Sequence, residues 1–215
     1  MTITSSDIAA LRAKTGAGMM DCKNALEEAG GNIEQEIDLL RKKGILKAAK
    51  RADKIAAEGL VHSYIHGQGK IGVLLEINCE TDFVGKTEAF KALANSIALH
   101  IAAANPKYLS REEVLPEELE REKNIYREQM KNEKKPVEIL EKIIEGKLGK
   151  FYSEVCLLEQ PFIKDETVTI EKILQAKTGE IGEKVTVRRF VRFELGEGLE
   201  KKTKDFAEEV AEQLK

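Results

Sequence analysis

Tryptophan is missing from this 215-residue chain and aromatic residues make up only 5% of it, so whatever core it forms is aliphatic. No apolar run approaches the ~20 residues of a membrane-spanning helix. The opening segment, Met1 to Asp7, has neither the basic start nor the apolar centre of a secretory signal, and a cytoplasmic protein is expected. Cys22, Cys79 and Cys156 are far apart, form no CxxC and are odd in number, which argues against a disulfide framework and fits a reducing compartment. Phosphate-binding GxxxxGK and GxGxxG loops are absent, as are GxSxG and HExxH. Gly16-Ala17-Gly18 falls between helical stretches rather than after a strand, so it is a weak dinucleotide signal. The three histidines, His62, His66 and His100, have no nucleophile beside them. On a strand, His62 and His66 would stand roughly 13 Å apart, too far to share a metal ion. Nothing singles out a catalytic carboxylate pair. These absences point away from an enzyme and towards a binding protein, with no cofactor and no metal expected.

What is present is a polar globular composition, 42% hydrophobic and 34% charged, with a net charge of −3. A general nucleic-acid binder would be basic, so any such contact has to be local. The first 44 residues read as three short helices. Ser5, Ser6 or Asp7 can cap the first, with Ile8 and Leu11 inward. Cys22, Ala25, Leu26 and Ala29 give the second its apolar face, and Gly30-Gly31 ends it. Asn32 caps the third, with Ile33, Ile37 and Leu40 inward. Met19 and Met20 sit where the Thr15–Gly18 breaker meets the second helix, and they are either gap-fillers or a soft contact patch. Residues 41–54 carry Arg41, Lys42, Lys43, Lys47, Lys50, Arg51 and Lys54 against the single acid Asp53. This basic linker is a solvated face or a site for an acidic partner or RNA.

From Gly59 the period becomes two. Leu60–His66, a turn at Gly67–Lys70 and Ile71–Cys79 form a hairpin whose second strand is apolar enough to be central. At Thr81-Asp82-Phe83-Val84 strand gives way to helix; Thr81 or Asp82 can cap it, and Phe83 either staples into the core or points out at a partner. The next helix carries Phe90, Leu93, Ala94, Ile97, Ile101 and Ala104 in one stripe and stops at Asn105-Pro106. Ser110–Glu113 reads as a capping box on a short helix. Over 117–149 two largely charged helices with a thin apolar seam predict a projecting hairpin arm, turning at Glu133–Pro136. Strand character follows over 151–158. Thr169 caps a short helix that Gly179 ends. Val185–Phe193 is another strand, with Val185, Val187, Arg189, Val191 and Phe193 on one face and Arg188 and Arg192 on the other. An amphipathic helix over 204–214 closes the chain, and its start, Thr203–Ala207, echoes Glu80–Val84. The fold class expected is α+β: a three-helix domain and linker over 1–54, then an antiparallel-sheet core with packed helices over 55–215.

Three stretches resemble one known family. Leu11-Arg12-Ala13-Lys14-Thr15-Gly16-Ala17-Gly18-Met19-Met20-Asp21-Cys22-Lys23-Asn24-Ala25-Leu26 is similar to the first signature of bacterial translation elongation factor Ts. Glu76-Ile77-Asn78-Cys79-Glu80-Thr81-Asp82-Phe83-Val84-Gly85-Lys86 is similar to the second, and Phe190–Lys201 resembles the family's C-terminal strand and loop. Gly85 departs from the Ala or Ser common there, at a cost of about 0.5–1 kcal/mol relative to Ala. The resemblance implies a guanine-nucleotide exchange factor for the GTPase elongation factor Tu. It implies that Thr81, Asp82, Phe83 and Val84 enter beside the partner's nucleotide and disturb its Mg²⁺ and phosphate contacts. It also implies that a ubiquitin-associated-like N-terminal domain docks on the GTPase through Arg12, Met19, Met20 and Lys23. Longer members hold two related core halves; a chain of this length resembles one half, which implies a homodimer. No membrane and no direct nucleic-acid contact are required. The competing reading is an RNA- or ribosome-associated protein using the basic linker and an Arg188/Arg192 face, with salt-sensitive binding.

Overall fold

The computed structural model describes residues 3–15, 17–30, 33–131 and 136–199. Asn32, the turn over 133–135 and the expected terminal helix over 204–214 with its echo lie outside them. The described residues form an α+β fold in which helices cover one face of a three-stranded antiparallel sheet.

Three helices open the chain: α1 (Ser5–Thr15), α2 (Met19–Ala29) and α3 (Ile33–Lys50). The cap of α1 is Thr4, one residue before the candidates read from sequence. Its hydroxyl accepts from the Asp7 amide while the Asp7 carboxylate accepts from the Thr4 amide at 2.9 Å, a reciprocal pair that satisfies two helix-start donors. Leu11, Cys22, Ala25, Leu26 and Leu40 make a small core, with Ile8 and Ile37 against it. The linker is not separate from the third helix: α3 runs on through Gly44 to Lys50. Its second half lies against α8 (Ile170–Ile181), where a Cβ on Gly179 would stand 2.7 Å from the Gly44 Cα. Gly179 therefore does not end that helix but allows two backbones to touch. The terminator is Gly182, left-handed at φ 80°, while Thr169 supplies the expected cap by accepting from the Lys172 amide.

The sheet runs β1 (Glu58–His66), β2 (Ile71–Cys79), β5 (Thr186–Glu194), with β2 central as its apolar sequence requires. Its inner face carries Val73, Leu75, Ile77 and Cys79, all buried against α5 (Glu88–Ala104). Phe90, Ala94, Ile97 and Ile101 of α5 are fully buried, and each large apolar side chain among them contributes about 1.5–3 kcal/mol. Thr87 caps α5 at one end; Asn105, at φ 46°, closes it ahead of Pro106. The register of β2 and β5 slips between Glu76 and Ile77: Ile77 faces Val187 and Glu76 faces Arg189, leaving Arg188 as an extra residue. The expected alternation therefore inverts at the bulge. Val187 points inward, Phe190 and Arg192 follow it, and Arg189, Val191 and Phe193 turn to solvent. Arg188 and Arg192 do not share a face. Arg188 bonds Glu76, whereas Arg192 lies under the sheet, its side chain 8% exposed, donating to the Ala102 carbonyl and to Glu194.

The arm is α6 (Pro116–Gln129) and α7 (Val137–Val155), joined along Tyr126, Met130, Ile143, Ile144 and Leu148 in a cluster distinct from the main core. The strand expected over 151–158 is helix as far as Val155. Leu148, Phe151, Tyr152 and Val155 continue the 3.6-residue stripe, and Phe151 packs with Val114 and Cys156. Ser110 begins a single 3-10 turn, Arg111–Glu113, rather than a helix. Between α7 and α8 lies a small hairpin of β3 (Pro161–Phe162) and β4 (Asp165–Thr169).

That hairpin is tied to α5 through His100, which is fully buried. Gln160 spends its amide NH₂ on the Glu154 carbonyl, so its oxygen faces His100 and accepts from Nε2–H at 2.9 Å; Nδ1 then accepts from the Ile163 amide at 3.3 Å. A charged imidazole would set a second N–H against the Ile163 donor. Burial, partly offset by Gln160, holds the His100 pKa below the usual 6.5. A depressed histidine pKa gives stability that is present above the unfolded pKa and lost on acidification. Denaturant titrations are expected to show stability level from pH 8 to 7 and falling below about pH 6.5, by at most about 1.4 kcal/mol per pH unit from this group. His100→Gln should remove that part of the slope; an unchanged slope would show that other groups carry it.

Candidate partner-binding corner

β2 ends at Cys79, and four residues, α4 (Asp82–Gly85), make a single helical turn before α5 begins. So short a helix cannot hold itself. Gly85 lies against β1: a Cβ there would meet the Gly59 Cα and carbonyl oxygen at 3.1 Å. Gly59 is tighter still, at φ 134° with an added Cβ only 2.2 Å from the Ile77 carbonyl oxygen. Gly85 thus permits a close approach of α4 to β1. Thr81 stands at the N-cap position in extended conformation, but its hydroxyl caps nothing in α4. It donates to Glu183 Oε1 at 2.7 Å, and the Thr81 amide donates to Glu183 Oε2 at 3.0 Å. The Cys79 thiol donates to the Thr81 carbonyl at 3.1 Å. The Lys86 ammonium beside Asp82 holds that carboxyl below the usual carboxylate range, against some opposing desolvation.

The four corner residues therefore separate in role. Val84 is half-buried and packs against the main core. Thr81 is exposed and bonded, and Asp82 is half-exposed and paired. Phe83 is 79% exposed, so it is neither staple nor core. In the N-terminal helices Met19 and Met20 are 58% and 65% exposed at the start of α2, so neither fills a gap in the core. Arg12 of α1 and Lys23 of α2 are exposed, and Lys23 lies 3.8 Å from Glu27.

Glu183 and Lys184, and the bonds they make, escaped the sequence reading. Glu80, next to Thr81, accepts from the Lys184 amide and from Arg51, both at 2.7 Å. The Lys184 ammonium donates to the carbonyls of Ala52 and Lys54. These bonds join residues 29 to 132 positions apart, and no local pattern announces them.

Among the described residues no three His, Cys, Asp or Glu side chains converge as a metal site, and no helix is long and apolar enough to cross a membrane. The arrangement is that of an α+β protein that presents an apolar side chain on a braced corner. The family profile described as Elongation factor TS matches residues 4–197. The chain is 59% identical over 213 residues to Elongation factor Ts of Desulforamulus reducens, covering 99% of this chain and 98% of that protein. It is 58% identical to that of Carboxydothermus hydrogenoformans over the same shares, and 57% identical to that of Geotalea uraniireducens over 98% of each chain. The chain belongs to the elongation factor Ts family of translation elongation factors.

Proposed function

We propose that the protein is a guanine-nucleotide exchange factor that binds elongation factor Tu carrying GDP and opens its nucleotide site. The observation that carries this reading is Phe83, held out to solvent on a corner bonded on both sides. In such GTPases much of the grip on nucleotide comes from Mg²⁺ and from donors to the phosphates. Thr81, Asp82, Phe83 and Val84 entering beside that site displace those elements and weaken GDP and GTP alike. By linkage, nucleotide expels the factor as strongly as the factor expels nucleotide, and the cellular excess of GTP gives the direction. Arg12, Met19, Met20 and Lys23 form a second contact with the GTPase. No covalent bond is made or broken, so no catalytic residue, cofactor or resident metal is needed, and the process belongs in the cytoplasm.

The protein acts as a homodimer in this reading. The outer face of the sheet supports it, since Val61, Ile65, Leu74, Val191 and Phe193 are exposed there and the neighbouring Glu76 is neutralised by Arg188 and Arg189. The same patch on a second copy is self-complementary about a two-fold axis and completes a two-layer core. The RNA-associated alternative loses one of its two supports, because Arg188 and Arg192 lie on different sides of the sheet and each is engaged.

The test is release of labelled GDP from purified elongation factor Tu. Sub-stoichiometric amounts of this protein are expected to accelerate release by orders of magnitude; a rate equal to the unassisted one refutes the assignment.

A further inference from the structure

We propose that Glu80, Glu183 and Lys184 are positioning residues for nucleotide exchange, locking the Thr81–Phe83 corner to the C-terminal end of α3 so that the corner and the N-terminal helices meet the partner as one rigid surface. This rests on the exchange reading.

Three segments distant in sequence meet at one place. The first is the end of α3, where residues 51–54 continue in helical turns closed by amide bonds from Arg51 to Ala48, from Ala52 to Ala49 and from Lys54 to Arg51. The second is the corner itself. The third is the pair Glu183-Lys184, between the left-handed Gly182 and β5. Glu183 takes both donors of Thr81, so the backbone direction into α4 is set by a residue 102 positions away. Lys184 faces the other way. Its ammonium is held by the Ala52 carbonyl at 2.6 Å and the Lys54 carbonyl at 3.1 Å, placing a cation on the negative end of the α3 dipole. Glu80 closes the loop by bridging the Lys184 amide and Arg51, its side chain only 16% exposed. Further back, α3 and α8 touch through Gly44 and Gly179, so α8 and the residues after it form a common frame for both partner-facing parts.

Fold stability is a poor explanation for the bonds between Glu183 and the corner. The Thr81–Glu183 bonds are exposed, and none of these side chains joins an apolar cluster. Pairs of that kind add little to folding. What they do set is direction. α4 has one turn, Thr81 contributes no cap to it, and Phe83 projects from its first turn. A small rotation at Thr81 therefore moves the exposed ring by a distance that matters for docking, and misplacement of that order costs rate rather than binding.

The experiment follows GDP release from the partner GTPase over a range of factor concentrations, giving the rate at saturation and the half-saturating concentration separately, with full-length wild type and Phe83→Ala in the same series. Glu183→Ala is expected to lower the saturating rate about 5- to 10-fold with half-saturation within about twofold. Glu183→Gln, whose amide oxygen accepts from the Thr81 amide while its NH₂ donates to the Thr81 hydroxyl, should return the rate to within about twofold of wild type. Lys184→Met frees the end of α3 and should instead raise half-saturation about 3- to 10-fold. All three variants are expected to melt within about 2 °C of wild type, which a purely structural role would not allow. An active wild type with an unchanged saturating rate in Glu183→Ala, or failure of Glu183→Gln to rescue, overturns the positioning role alone. A wild type that leaves GDP release unaltered removes the exchange reading and this role with it.

Discussion

Phe83→Ala is expected to lower stimulated GDP release by about 30-fold or more, the scale of ~2 kcal/mol or above that a central aromatic anchor contributes at an interface. A ring 79% exposed in the free protein is hydrated at a loss and regains that loss only on entering a partner. Among the described residues the main core closes beneath Val84 and Phe90 without it. The substitution should leave the melting temperature almost unchanged while removing the group proposed to displace the partner's nucleotide-holding elements. Asp82→Ala acts differently. It deletes the carboxylate paired with Lys86 and frees that ammonium at the tip of the corner, so its effect should be smaller alone and should not add simply to that of Phe83→Ala. Stopped-flow release of fluorescent GDP measures both. If Phe83→Ala exchanges at the wild-type rate while still binding the partner, the corner is not the displacing element.

The second large effect concerns the bare side of the sheet. Leu74 lies at its centre, opposite Ser63 of β1 and Val191 of β5. It is already about half exposed in the single chain, so Leu74→Glu should fold. In a two-fold pair each substitution appears twice and sets carboxylates near one another, beside Glu76, in a surface otherwise losing water. Weakening of the dimer by about 100-fold or more is expected, on the scale of ~3 kcal/mol for a charge buried without a partner. Sedimentation equilibrium at micromolar concentration reads this directly: wild type as a dimer, variant as a monomer. A wild type that stays monomeric throughout, or a variant that stays dimeric, would place the pairing surface elsewhere or remove it.

How far the fold could be read in advance depended on range. The hairpin of β1 and β2, the stripe of α5, its stop at Asn105-Pro106 and the paired helices of the arm all rest on neighbours within one or two turns, and each formed as expected. Phe151 to Val155 misled because aromatic and β-branched residues favour strands, yet here they prolong a helical stripe against Val114 and Cys156. Gly179 read as a stop because a glycine late in a helix usually is one; only the approach of Gly44, far away in sequence, gives it its actual use. The corner was legible as a place but not as a state. A capped helix start followed by Phe has the same local pattern whether the ring turns in or out, and the corner is braced by Glu183 and Gly59, which lie far from it in sequence.

Arg188, the unpaired residue of the bulge, has a consequence for how sequences of this family should be lined up with one another. Upstream of it β5 is in one phase, downstream in the other, so inside and outside are defined by counting from the bulge rather than from the start of the strand. An alignment that places a one-residue gap on the wrong side of position 188 would score Phe193 as core and Arg192 as solvent-facing, and would count as drastic those replacements at the outer positions that the fold tolerates. Losing Arg188 itself would remove the bulge and leave Arg192 under the sheet and Phe193 outside, because Val187, Arg189 and Phe190 would then alternate with their present partners. In this strand the place where a gap falls carries more structural information than most substitutions do.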